Sequence, residues 1–214
     1  MVHKRLDGGS IKRMKIAVYT GKGSAKESAS AITKISSKVG QVVEFDRNIP
    51  NSDVYIVGGG LASEIAANLG VKNLKELESI ILNDKKKYIG ICAGAYLAIE
   101  GYWTDRTLTG YFVLIKAHHP DIDSWRRGVG WIKVKVREEE MKMWYENGPL
   151  FEGNDGFEII GRFLEDINET DSKYNMINAP AIIKKDNIVL FSPHPELSGQ
   201  TGKKLLLKAL EGSL

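Results

Sequence analysis

Short apolar bursts alternate along this chain with longer stretches in which apolar residues recur at helical spacing. Lys15-Ile16-Ala17-Val18-Tyr19-Thr20 reads as a first strand, and Ser24 or Ser28 as the cap of a helix running to about Lys38. Gln41 to Phe45 and Val54 to Val57 read as the second and third strands. Leu61 to Leu69 and Asn73 to Leu82 then read as helices, Tyr88 to Ile91 as a buried strand, and Ala93 to Ile99 as the start of another helix. Strands alternating with helices predict an α/β fold with a mostly parallel sheet and helices on both faces.

The character changes beyond that point. Tyr111 to Ile115, Gly130 to Val136, Lys142 to Tyr145 and Phe157 to Phe163 read as strands. Gly130 to Val136 alternates apolar and basic residues, which suits a half-solvated antiparallel strand. Ala181 to Phe191 reads as a hairpin turning at Lys185-Asp186-Asn187, and Gly199 to Leu210 as a final helix carrying Leu205, Leu206 and Leu210 inward. The expectation is therefore of additional antiparallel strands in the C-terminal half.

Composition narrows the class. With 214 residues, 43% hydrophobic and 27% charged, the chain suits one well-cored domain over 14–214, preceded by a flexible polar leader over 1–13. A net charge of +3 with interspersed signs argues for no nucleic acid, and Lys85-Lys86-Lys87 reads as a solvated helix end. No apolar run is long enough to span a membrane. The single cysteine, Cys92, excludes an internal disulfide and a cysteine-rich zinc site, and fits a cytoplasmic location. No metal or cofactor is expected. Gly21-Lys22-Gly23-Ser24 lacks the spacing of a phosphate loop and reads as a strand-to-helix turn. His118-His119-Pro120 with Asp121 and Asp123 is a poor metal set, because adjacent histidines point opposite ways in an extended chain. Trp125-Arg126-Arg127 reads as a packed and solvated loop.

Candidate chemistry concentrates at three strand ends. Gly90-Ile91-Cys92-Ala93-Gly94 has the small-x-nucleophile-x-small pattern of a nucleophile elbow, which forces a side chain out of a sharp strand-to-helix bend. The helix N-terminus there favours negative charge on the sulfur. The plainer reading is a small buried thiol. Gly58-Gly59-Gly60 leaves backbone N–H groups free to meet a developing oxyanion, or is merely a turn. In Pro193-His194-Pro195-Glu196 the prolines hold the histidine extended, and alternation puts His194 and Glu196 on one side. Such a pair suits an oriented base beside a thiol, or a capping histidine in a stiff loop.

Together and in this order, the glycine run, the elbow and the His-Pro-Glu segment resemble the type 1 glutamine amidotransferase-like superfamily. Five blocks are most similar to the N-terminal amidotransferase-like domain of biotin–protein ligases: Ile16 to Gly21, Gly58 to Gly60, Gly90 to Tyr96, Tyr145 to Phe151 and Ser192 to Glu196. The resemblance implies a flavodoxin-like sheet and a Cys92–His194–Glu196 triad. It also implies oxyanion donors from Gly59, Gly60 and Ala93, with Tyr96 and Gly58 facing the substrate. It implies a small-molecule amide substrate, cleaved through a thioester, and a separate ligase or synthetase partner. Glutamine-hydrolysing relatives usually carry glutamine where this chain has Tyr96, and no Gly-Arg-Gly-Arg-type biotinoyl-AMP loop occurs in the sequence. The alternatives are a non-catalytic binding or regulatory module on the same fold, and a peptidase of that fold.

Overall fold

A computed structural model describes residues 13–104, 107–120, 127–153, 156–167 and 175–214. The leader over 1–13, except Arg13, lies outside them, as do Asp121, Asp123, Trp125 and Arg126. The first half follows the predicted order: β1 (Lys15–Tyr19), α1 (Lys26–Ser36), β2 (Gln41–Phe45), β3 (Val54–Val57), α2 (Ala62–Leu82), β4 (Lys87–Ile91) and α3 (Ala93–Ala98). Then come β5 (Ile99–Thr104), β6 (Thr107–Thr109), β7 (Ile115–His118), β8 (Val129–Val136), β9 (Glu139–Glu146), β10 (Glu158–Phe163), β11 (Pro180–Lys185) and β12 (Ile188–Phe191). A 3₁₀ turn, Pro195–Leu197, leads into α4 (Gly199–Glu211).

Nine strands form one sheet in the order β2-β1-β3-β4-β12-β11-β10-β8-β9. The pairs from β2 through β12 are parallel. Those from β12 outward to β9 are antiparallel. This is the expected mostly parallel sheet with antiparallel strands added by the second half. β6, β5 and β7 make a separate small sheet.

The strand period of two divides the core into two layers. Ile16, Val18, Val54, Ile56, Ile89 and Ile91 pack with Ile32 and Ile35 of α1 and Leu205, Leu206 and Leu210 of α4. The intervening Ala17, Tyr19, Tyr55, Val57 and Tyr88 face the other way, onto Ile65, Leu69, Leu77 and Ile81 of α2 and onto α3. Runs apolar at every position are what a strand covered on both faces requires.

The two helices expected around Gly70 are both present within α2, separated at that glycine, whose φ of 73° and ψ of 161° are not helical. Other local expectations change. α1 is preceded by Ala25 with no side-chain cap, so neither Ser24 nor Ser28 caps it. Most of Tyr111 to Ile115 is not strand. Phe112 and Leu114 donate their N–H groups to the Leu97 and Ala98 carbonyls, and β7 begins only at Ile115. Burial of alternate residues, rather than ladder pairing, produced that strand-like pattern.

Candidate active site

Cys92 follows directly on β4 and has φ 52° and ψ −103°, outside the ordinary regions for an L-residue. Such a conformation costs about 1–3 kcal/mol and persists only where its surroundings impose it. They do so here. The Cys92 N–H donates to the Phe191 carbonyl at 2.8 Å, its own carbonyl accepts from Ala95 and Tyr96 at 3.0 Å, and Gly94 N–H donates to the Gly58 carbonyl at 3.1 Å. The flanking glycines allow the approach. A Cβ on Gly90 would stand 2.6 Å from the Gly94 carbonyl oxygen, and one on Gly94 would collide with that of Val57. The resulting thiol is 7% exposed, and its Sγ donates to the Glu146 carbonyl at 3.4 Å.

The histidine arrives by strand pairing. β12 runs parallel to β4 with Phe191 opposite Ile91, so the segments after both strands leave the same edge of the sheet. His194 is then tied to β9: its N–H donates to the Trp144 carbonyl at 2.7 Å. Ser198 Oγ closes the loop by donating to the His194 carbonyl and accepting from Trp144 N–H. Glu196 lies not on an extended segment, as the alternation argument expected, but on the 3₁₀ turn. The turn still brings its Oε1 to 2.8 Å from His194 Nδ1. His194 itself keeps a non-helical φ of −100° and ψ of 88°, as a residue before proline should.

Both side chains are buried, His194 at 4% and Glu196 at 1% exposure. Burial pulls the imidazole pKa down. The charges of Glu196 and Cys92 and the hydrogen bond to Glu196 outweigh it, leaving the pKa well above the ordinary histidine value. Nε2 is buried without an oxygen or nitrogen partner and is the ring nitrogen left for the sulfur. A raised folded-state pKa makes the pair's contribution to stability complete below the unfolded value of about 6.5, and lost as pH rises through the folded one. Glu196→Gln is therefore expected to lower Tm most below the ordinary histidine range, with the gap to wild type narrowing as pH rises well above it. Thermal melts across that range check it.

A cavity of about 400 Å³ opens over the thiol, lined by Gly60, Cys92, Ala93, Tyr96, Glu146 and His194 among others. Of the proposed oxyanion donors, Gly60 and Ala93 line it, and among the described residues neither N–H has an acceptor. Gly59 does not line it: its N–H is committed to Ser28 Oγ at 2.9 Å. A Cβ there would stand 2.5 Å from His194 Cε1, so the absent side chain is what lets the imidazole in. Gly58 is also outside the lining and serves the elbow through its carbonyl. Tyr96 is in the wall, its hydroxyl donating to the Asn147 carbonyl at 3.2 Å.

Sequence reasoning missed three contributors. Ser28, read only as a cap, brings its hydroxyl to 2.6 Å from Glu196 across the fold. Glu146 and Asn147 stood out only as part of the Tyr145 to Phe151 block. Asn147, at φ 50°, accepts the N–H groups of Arg127 and Gly128 on its Oδ1 and holds this segment against the thiol. Only its place before Gly148-Pro149 hinted at an unusual backbone. Elsewhere, His119 is buried with Nδ1 accepting the Leu150 N–H, and among the described residues no His/Cys/Asp/Glu group is placed to hold a metal. No helix among them is long and apolar enough to cross a membrane.

No protein-family model matches the chain. The imidazole glycerol phosphate synthase subunit HisH of Haemophilus influenzae is 30% identical over 178 residues, covering 79% of this chain and 83% of that one. The chain belongs to the class I glutamine amidotransferase-like family. A HisH subunit from Caldanaerobacter subterraneus is 26% identical over 75% of this chain and 79% of its own length. Among solved structures, a glutamine amidotransferase superposes with a TM-score of 0.68 at 15% identity, covering 92% of this chain and 98% of that one. PurLQS from Thermotoga maritima gives 0.65 at 18% identity over 94% of this chain and 99% of that one. These likenesses establish the amidotransferase fold.

Proposed function

We propose that the protein is a cysteine-dependent amidohydrolase of the glutamine amidotransferase type, acting through a thioester on Cys92. The observation that carries this reading is the strained, buried thiol facing the open Nε2 of an imidazole whose Nδ1 is held by a carboxylate. In the reaction His194 Nε2 takes the thiol proton and sulfur attacks the amide carbonyl carbon. The oxygen then gains negative charge between the N–H groups of Gly60 and Ala93. Collapse breaks the C–N bond, and the departing nitrogen takes the proton from His194. Water next gives a proton to the imidazole, its hydroxide attacks the thioester, and Cys92 leaves and recovers that proton as the carboxylic acid is released and ionises to solvent.

An amide bearing an amino-acid head group suits the lining. The first turns of α1 and α2 reach the cavity through Ala25, Glu27, Ala62 and Ser63, and neither helix has a side-chain cap. Their free N–H groups would receive a carboxylate. Glu27 at the rim would receive an ammonium group. Glutamine is the simplest substrate with all three features. Because the HisH relatives are named as subunits of a synthase, we read this chain too as working with a separate ligase or synthetase partner. The finer reading, a relative of the biotin–protein ligase N-terminal domain, is supported by the five sequence blocks alone.

Tyr96 favours a second reading, a binding or regulatory module, since an aromatic ring narrows the wall where glutamine-hydrolysing relatives usually carry glutamine. A peptidase of the same fold is a variant of the first. Incubation with 6-diazo-5-oxo-norleucine, followed by intact mass, and ammonia release from glutamine separate them. The enzyme reading expects a single adduct on Cys92 and ammonia above the uncatalysed rate. Reversible glutamine binding with neither product would establish the module instead.

A further inference from the structure

We propose that Ser28 is a positioning residue that fixes the rotation of the triad carboxylate, and through it the imidazole, and ties the glycine run to that carboxylate; this rests on the triad reading above. Ser28 lies on α1, 168 positions from Glu196, and is 1% exposed. Its Oγ stands 2.6 Å from Glu196 Oε1 and 2.9 Å from the Gly59 nitrogen. An amide N–H can only donate, so Gly59 occupies a lone pair on Oγ and directs the one hydroxyl hydrogen to Oε1. Oε1 is therefore an acceptor towards Ser28.

His194 Nδ1 lies 2.8 Å from the same oxygen. Two acceptors at that distance would repel, so Nδ1 carries the hydrogen and Nε2 is the nitrogen that exchanges a proton with Cys92. Glu196 Oε2 is buried with no partner, so among the described residues the side-chain hydrogen bonding of this carboxylate passes through Oε1. Either oxygen of an ionised carboxylate is an acceptor, so what Ser28 adds is the fixed rotation that aims Oε1 at Nδ1.

The same hydroxyl fixes the backbone on the other side of the imidazole. Gly59 is held by its N–H while its α-carbon packs against the ring, where a Cβ would be 2.5 Å from Cε1. The next amide, that of Gly60, faces the cavity. One side chain thus governs both the rotation of the base and the aim of an oxyanion donor. Its spacing in α1 puts it with Ala29 and Ile32 on the buried face, and unlike the buried Ser36 of the same helix its hydroxyl has partners.

The test uses the full chain as wild type, Ser28→Ala, Ser28→Thr and His194→Ala. Iodoacetamide alkylation of Cys92, the only thiol, is followed against pH by intact mass. The His194 ring is followed by long-range ¹H–¹⁵N NMR. Ser28→Ala is expected to slow alkylation at neutral pH by about tenfold or more. It should also move the His194 titration upward by about half a pH unit or more, as Oε1 turns its undivided charge on the imidazolium. Ser28→Thr, keeping the hydroxyl, should keep the wild-type titration. An unchanged titration in Ser28→Ala, or alanine and threonine behaving alike, overturns the proposal. Alkylation of His194→Ala at the wild-type rate sinks the triad reading itself, whatever the Ser28 variants show by NMR.

Discussion

Replacing Cys92 with alanine is expected to lower amide hydrolysis by about 10⁴-fold or more and to abolish adduct formation with the glutamine analogue. Removing a nucleophile leaves only the oxyanion donors and the cavity, which cannot form a thioester. Stability should respond differently. Alanine keeps a β-carbon, so the strain at φ 52° and ψ −103° stays, and Tm is expected to change little. Cys92→Gly removes that strain and should raise stability by up to about 1–3 kcal/mol while being as inactive as alanine. Ammonia release, intact mass and thermal melts on the two variants measure this. A Cys92→Ala protein that still releases ammonia from glutamine at the wild-type rate would exclude the proposed chemistry.

Gly94→Ala is the second large effect, this time on the fold. The added methyl would collide with the Val57 carbonyl oxygen, a backbone atom in the centre of the sheet that cannot swing aside. Helix α3 would have to lift from β3, breaking the bond from Gly94 N–H to the Gly58 carbonyl. Overpacking of this kind costs about 3 kcal/mol or more. In a chain of this size that lowers Tm by roughly 6–12 °C. Gly199→Ala is the matched control. Its φ of 67° penalises a side chain, but nothing lies within 4 Å, so the loss should be only about 1–2 kcal/mol. Equal melting losses in the two variants would show that backbone conformation, not the Val57 contact, makes Gly94 necessary.

How much of this could be read from the residues follows from the range of the interactions. The parallel half was legible because Ile16 to Tyr19, Val54 to Val57 and Tyr88 to Ile91 are apolar at every position, which few other environments demand. The elbow was legible because its constraint is local, with two glycines flanking one cysteine. Ser28 was not. Serine near a helix start looks the same whether it caps or crosses to a carboxylate 168 positions away, and nothing local separates the two. Gly59 and Gly60 were likewise indistinguishable, because only the position of Ser28 decides which of their N–H groups is spent. The pairing of His194 with Glu196 was reached through a strand alternation that is not there. The spacing of two residues serves a 3₁₀ turn as well.

β12 sits in the middle of the sheet, between β4 and β11, although it is the last of the described strands to be made. Position 89 pairs with position 189. During synthesis β2, β1, β3 and β4 can assemble as they emerge, leaving one edge of β4 exposed until a far later segment fills it. Such an open edge invites pairing with other chains, and contacts this distant in sequence are slow to form. The thiol is thus translated long before the imidazole proposed as its base. The nascent chain carries an uncoupled cysteine, and the same docking step that seals the sheet first brings Cys92 and His194 together.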